Sequence, residues 1–224
     1  MVLALIPAYN EAETIADVVA GVSAHCPDVV VVDDGSTDDT AALAEGGGAR
    51  VIRLSPNRGK GAALRSGLDH ALDIGSQAVI TLDGDGQHDP SEIPRFLGAW
   101  QADVGDLIVG ARDYGRMPWT RRTANATGRR LLRWATGADF LDNQSGYRLL
   151  NSRALRQLRP TRDDFAAEVQ MIVDAHHNGL RIGWVPISTI YEEESSHFHP
   201  VQDGSAFLRL IWIMRKSRGG PPVA

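Results

Sequence analysis

One cysteine, Cys26, stands in 224 residues, so the chain can form no internal disulfide and offers no cysteine-based zinc cluster. No apolar stretch approaches the roughly 18 residues that a membrane-spanning helix requires. The N-terminal MVLALIPAYNE lacks a basic start, and its apolar core is too short for a signal peptide. A soluble, cytoplasmic protein is the expectation. Gly-x-x-x-x-Gly-Lys-Ser/Thr is absent, as is Gly-x-Gly-x-x-Gly, which excludes a P-loop and a dinucleotide fingerprint. No internal repeat is present.

What is present is an ordinary globular composition, 43% hydrophobic and 23% charged, with 23 Gly and 11 Pro marking many turns. The net charge of −5 conceals an asymmetry, because seven arginines and one acid, Asp113, lie between Arg112 and Arg133. An acidic chain with one basic segment is not a general nucleic-acid coat, since such proteins spread positive charge widely. Such a segment suits one phosphate-bearing partner, an anionic membrane face or a solvated helix face.

The first 110 residues alternate between two periodicities. Val2–Ile6, Val29–Val32, Arg50–Leu54, Ala78–Leu82 and Leu107–Gly110 have the apolar runs of strands. Between them, Glu11–Ser23, Thr37–Ala44, Lys60–Ile74 and a segment from a Ser91 cap to Trp100 have the spacing of helices. Strand–helix alternation implies a mostly parallel sheet covered on both faces, an α/β fold. Further on, Trp119–Thr136 and Asp164–Asn178 are predicted helices, and Trp184–Ile190, with Pro186 near its start, is a predicted edge strand.

Ligands of such sheets bind beyond the carboxyl ends of the strands. Those ends carry Pro7-Ala8-Tyr9-Asn10-Glu11, Asp33-Asp34-Gly35-Ser36, Asn57-Arg58-Gly59-Lys60 and Asp83-Gly84-Asp85-Gly86-Gln87. One acidic pair could be a helix cap, the better reading for Asp38, but four polar clusters on one rim exceed what capping requires. Asp83 and Asp85, separated by Gly84 after an apolar strand, can both face a divalent cation. Mg2+ and Mn2+ take such hard oxygen ligands and fill their remaining positions with water and phosphate. Gln87 could add a weak ligand, and Lys60, between two glycines at a helix start, could add charge opposite a diphosphate.

The ordered set Ile6-Pro7-Ala8-Tyr9-Asn10-Glu11, Val32-Asp33-Asp34-Gly35-Ser36 and Leu82-Asp83-Gly84-Asp85-Gly86-Gln87-His88 resembles the inverting glycosyltransferases of family 2. Within that family the chain is most similar to the dolichyl- and polyprenyl-phosphate hexose synthases. Gly110-Ala111-Arg112, Gln144-Ser145-Gly146-Tyr147-Arg148 and Val185-Pro186-Ile187 fit the same branch. The resemblance spans residues 3 to 200 and implies an A-type nucleotide-sugar-binding α/β fold. It implies one domain over 1–217, with 1–111 the nucleotide-sugar-binding half and 112–217 the acceptor-side half, before a loose tail at 218–224.

By position, the resemblance implies that Pro7, Ala8, Tyr9 and Glu11 line the nucleotide pocket, and that Asp34, with Asp33 beside it, reads the base. Asp83 and Asp85 would hold Mg2+ or Mn2+ and the diphosphate. Arg112, Ser145 and Arg148 would face the acceptor phosphate, with Asp85 and Arg112 in catalytic roles. A structural salt bridge is the other reading of Arg148. The implied donor is a UDP-hexose, or GDP-mannose, and the implied acceptor is a polyprenyl phosphate reached by peripheral membrane contact.

One departure stands out. The branch often carries Arg-x-x-Gly-x-Ser-Lys after the Val-Pro-Ile strand, whereas Tyr191-Glu192-Glu193-Glu194-Ser195-Ser196-His197-Phe198-His199-Pro200 stands there. The replacement brings His199 as a candidate metal ligand, with His197 beside it. It also keeps a second acceptor class in play, a hydroxyl on a sugar, glycan or small molecule. That acceptor would need a base, for which Asp142 and Glu168 are the candidates. The non-enzymatic alternative is a nucleotide-sugar sensor. The segment Ser205–Met214 suits either a core helix or one lying in the membrane interface.

Overall fold

Apolar side chains that alternate along buried strands require cover on both faces, and this chain supplies it with two sets of helices. The computed structural model describes residues 1–112, 119–164 and 166–188, together with 211, 212 and 215. Its strands are β1 (Val2–Ala8), β2 (Asp28–Asp33), β3 (Arg50–Arg53), β4 (Ala78–Thr81), β5 (Leu107–Arg112), β6 (Arg148–Asn151) and β7 (Ile182–Ile187). They form one sheet in the order β3-β2-β1-β4-β6-β5-β7. All neighbouring pairs are parallel except those of β6, which runs antiparallel to both β4 and β5.

Leu3, Leu5, Val30 and Val32 point to one face and pack with α3 (Lys60–Asp73), α5 (Trp119–Thr136), α6 (Ser152–Gln157) and α7 (Ala166–His177). Ala4, Ile6, Val29 and Val31 point to the other and meet α1 (Ile15–Ser23), α2 (Thr40–Gly46) and α4 (Ile93–Gln101). The predicted parallel α/β architecture is therefore present. Close packing is strict where α3 crosses β1. A Cβ added at Gly67 would stand 2.1 Å from Leu5 Cδ1, so any side chain there pushes the helix off the sheet.

Three local expectations change. α1 starts at Ile15 rather than Glu11: residues 12–14 form a turn closed on the Glu11 carbonyl, and the N–H groups of Glu11 and Ala12 donate to Thr40 Oγ1 and Asp38 Oδ2. The cap before α4 is Asp89, whose carboxylate accepts from the Ser91 N–H; Ser91 itself sits in a 3-10 turn, Pro90–Glu92. β6 and α6 were not separated from the polar segment before them. β6 runs directly into α6 with no Gly or Pro between them to mark a boundary, and α6 is six residues started by Asn151, which accepts from the N–H groups of Arg153 and Ala154. β7 does lie at a sheet edge.

The reversal of β6 decides where the site is built. Parallel strands bring their carboxyl ends to one rim, whereas a reversed strand brings the residues before it. The segment 142–147 therefore stands beside the ends of β4 and β5. Thr81 Oγ1 donates to the Gly146 carbonyl at 2.8 Å, and the Gly110 N–H to the Tyr147 carbonyl at 2.8 Å.

Candidate active site

The loops after β1 and β2 are stitched together before they can hold anything else. The Asn10 N–H donates to Ser36 Oγ at 2.9 Å, and the Thr37 N–H to Asn10 Oδ1 at 2.8 Å. Pro7 and Ala8 are buried in β1, while Tyr9 lies exposed at the rim. Asp33 accepts from the Ser36 N–H and so shapes its own turn. Asp34 is buried at 3% exposure, and its two oxygens accept from the N–H groups of Arg58 and Gly59 at 2.9 and 2.7 Å. Asp34 thus holds the loop that leads into Lys60.

Lys60, Asp83 and Glu168 come from three elements and meet. The Lys60 ammonium lies 2.7 Å from Asp83 Oδ1 and 2.9 Å from Glu168 Oε1. Gly146 supplies the room: a Cβ there would be 2.8 Å from both Asp83 oxygens and from Glu168 Oε1. Burial alone would raise the Asp83 pKa, but the charged and hydrogen-bonding groups around it, Lys60 first among them, together outweigh it and hold the carboxyl below its ordinary range. His88 is buried, and its Nδ1 accepts from the Asp83 N–H at 3.1 Å. Burial pushes the His88 pKa down to about 4, so the ring is neutral and its 4.0 Å approach to Asp83 Oδ2 is not an ion pair.

Asp85 and Glu11 supply the negative side. Burial, then repulsion from Asp83, raises Asp85 to about 6. Burial, then repulsion from Asp85 and Asp83, raises Glu11 to about 7. Among the described residues no cluster of three or more His, Cys, Asp or Glu closes around a point as a complete metal cage. The donor set is instead two hard carboxylates of one triplet, Asp83 paired with Lys60 and Asp85 repelled by Asp83 and by Glu11. That arrangement fits a divalent cation completing its shell with water and phosphate oxygens. Asp85 Oδ1 accepts from the Gln87 N–H, so Gln87 braces the turn with its backbone. His199 lies outside the described residues, as do His197 and the tail 218–224.

These shifts carry a sign. A carboxylate whose folded pKa is raised stabilises the fold below its ordinary pKa and loses that contribution as pH rises through the folded value. For Glu11 the window runs from 4.5 to about 7. Glu11→Gln is therefore expected to melt higher than the parent in metal-free buffer above that window and to match it below. Melting curves of the two proteins across the window measure this. A gap that does not grow with pH would show that the Glu11 charge is not frustrated.

On the acceptor side the structure places two of the expected residues inside the protein. Arg148 is 1% exposed, and its guanidinium donates to three backbone carbonyls: Ser145 and Glu168 at 2.7 Å and Asn143 at 3.3 Å. It is turned inward as a brace between segments. Its partners are carbonyls rather than a salt bridge. Ser145 is also 1% exposed, and its buried hydroxyl makes no hydrogen bond among the described residues. Arg112, at the end of β5, does lie on the rim. Its Nε and Nη2 donate to Asp142 Oδ2 and Oδ1 at 2.7 and 2.9 Å. Asp142 is fully buried and held below its ordinary pKa, because that pairing outweighs its burial. It is an anchor for Arg112 and is not poised to take a proton.

Sequence reasoning did not single out Gly146, Thr14 or the brace by His88. Thr14 Oγ1 donates to the Gly84 carbonyl at 2.6 Å and pins the acidic triplet to the start of α1. A threonine just before a helix resembles any cap, so its sequence context offers no signal for that contact.

Residues 4–159 match the glycosyl transferase family 2 profile. A Methanococcus voltae protein named UDP-N-acetylglucosamine–dolichyl-phosphate N-acetylglucosaminyltransferase is 32% identical over 87% of this chain and 88% of its own length. The polyprenol monophosphomannose synthase of Mycolicibacterium smegmatis is 32% identical over 83% of this chain and 76% of its own. In fold, the chain superposes on glucosyl-3-phosphoglycerate synthase from Mycobacterium tuberculosis with a TM-score of 0.77 at 22% identity, covering 100% of this chain and 81% of that one. That neighbour was crystallised with Mn2+, UDP-glucose and phosphoglyceric acid, and also with Mg2+ and UDP. With the strand order, the acidic triplet and these matches in agreement, the chain belongs to glycosyl transferase family 2.

Proposed function

We propose that this glycosyltransferase moves a hexose from a nucleoside diphosphate sugar to a polyprenyl phosphate, with inversion at the anomeric carbon. The observation that carries the reading is the pairing of Lys60 with Asp83, in the triplet that also holds Asp85, on the rim that bears Arg112. Two carboxylates would hold Mg2+ or Mn2+, and the cationic side chains would meet phosphate. The metal would supply Lewis-acid stabilisation of the departing diphosphate. Pro7, Ala8, Tyr9 and Glu11 would border the nucleoside. Asp34 would meet the base through lone pairs that its two loop amides leave unused. UDP-hexose is the donor we favour, with GDP-mannose the other compatible one, and the named relatives include both an N-acetylglucosaminyl and a mannosyl enzyme.

The choice of acceptor follows from proton bookkeeping. A hydroxyl acceptor needs a base, and neither carboxylate considered for that task is placed for it. Asp142 is clamped by Arg112, and Glu168 is engaged by Lys60. A phosphate monoester is already ionised near neutral pH and attacks without one. Arg112 would orient that phosphate and offset its charge.

A lipid acceptor calls for contact with a bilayer. No helix among the described residues is long and apolar enough to cross a membrane. Trp134, Leu141 and Trp212 are nevertheless exposed, and Arg130, Arg133 and Arg215 accompany them. The Arg215 guanidinium sits 4.9 Å from the centre of the Trp134 ring. Tryptophan beside arginine suits the headgroup region of an anionic leaflet, which supports peripheral attachment at the cytoplasmic face.

The test supplies UDP- and GDP-sugars with Mn2+, and either a polyprenyl phosphate in anionic vesicles, its short-chain water-soluble analogue, or hydroxyl acceptors. Nucleotide release and glycolipid are read. Release stimulated by both lipid phosphates is expected, and the joint Trp134→Ala and Trp212→Ala change should slow only the vesicle reaction. Release stimulated by hydroxyl acceptors alone would move the assignment to that class. Donor binding without turnover would favour the sensor.

A further inference from the structure

The Lys60 backbone is fixed while its side chain spans two carboxylates, one of which the proposed reading assigns to a metal. Gly59 adopts φ 97°, and the Gly61 N–H donates to the Asp163 carbonyl at 2.9 Å. A Cβ at Gly59 would stand 2.2 Å from the Asp163 carbonyl oxygen, and one at Gly61 2.1 Å from that of Arg162. The start of α3 is therefore seated directly on the backbone of the 162–163 loop. Glu168 is equally fixed, because Arg148 holds its carbonyl at 2.7 Å. Between these anchors runs a four-carbon stem with a compact ammonium, the side chain best able to exchange partners without moving its backbone.

We infer that Lys60 is a partner-switching residue, passing from Asp83 to the donor's diphosphate when a divalent cation takes Asp83, with Glu168 as its constant anchor. The inference rests on the proposed donor reading. A cation arriving alone must compete with an ammonium already 2.7 Å from the same carboxylate. A diphosphate arriving alone meets Asp83, Asp85, Glu11 and Glu168 with Lys60 still committed to two of them. Arriving together, the cation frees Lys60 and the diphosphate receives it. The two ligands then bind cooperatively, and part of that cooperativity belongs to Lys60. A lysine that stayed in place as a fixed charge would change each affinity separately and leave the coupling between them unaltered.

Calorimetric titration measures Mn2+ affinity with and without saturating UDP, and the ratio of the two is the coupling. Lys60→Met is expected to bind Mn2+ alone more tightly than the parent and UDP alone more weakly, with the coupling reduced by about tenfold, within the range of such linkages. If Lys60→Met does not fold, Lys60→Gln carries the same test, since its amide can still bond both carboxylates without the charge. Equal coupling in parent and variant would overturn the switch and leave the donor reading intact. A parent that binds neither Mn2+ nor UDP would overturn both.

Discussion

Asp85→Ala is expected to lower metal-dependent turnover by at least a hundred- to a thousandfold, the scale on which one preorganised electrostatic partner of the transition state contributes. The structure also sets the sign of its effect on stability. Asp85 is an uncomfortable charge, raised to about 6 by burial and by Asp83, and it in turn raises Glu11. Removing it relieves both repulsions, at the cost of one bond to the Gln87 N–H. The variant should melt at or above the parent temperature in metal-free buffer while Mn2+ loses its hold. Turnover retained by a folded variant would sink the metal-based mechanism, and melting curves alongside the assay separate that result from unfolding.

Arg148→Met should show the opposite profile. Its three buried carbonyl partners would lose their donor, and leaving such groups unsatisfied costs about 3 kcal/mol. In a chain of this length that corresponds to a fall in melting temperature of roughly 10 °C. An acceptor-binding arginine would behave differently, with a higher KM for the acceptor and an unchanged melting curve. The damage should spread to the donor side, because Arg148 positions the Glu168 backbone and Glu168 holds Lys60. Donor binding at temperatures well below melting should therefore weaken as well. A stable variant impaired only toward the acceptor would show that Arg148 meets the acceptor instead of bracing the fold.

The two outcomes show what a sequence discloses and where it stops. Asp83, Gly84 and Asp85 were legible because a parallel strand ends where its apolar run ends and the ligand rim begins. Lys60 was legible for the same reason, at a helix start beside two glycines. Arg148 stood between an acceptor contact and a structural role, because nothing local reveals that residues 143, 145 and 168 present three carbonyls to it. Asp142 was ambiguous until Arg112 was seen to occupy both its oxygens. β6 was missed because no Gly or Pro separates it from the helix that follows, and the reversed direction of that strand is a tertiary fact. The chemistry was written in strand ends, and the braces in contacts between distant segments.

The same strand governs how the molecule can be assembled. β5 is synthesised before β6, yet the sheet gives β5 no neighbours except β6 and β7. A nascent chain ending at residue 112 can zip β3, β2, β1 and β4 together but must leave β5 waiting beside a gap one strand wide. The wedge arrives only with residues 148–151, and the outer edge only with residues 182–187. A chain cut after residue 112 would thus be left with an unpaired edge at β4, three of whose four residues are apolar, a surface prone to self-association. The strand that closes the sheet is also the one that completes the rim.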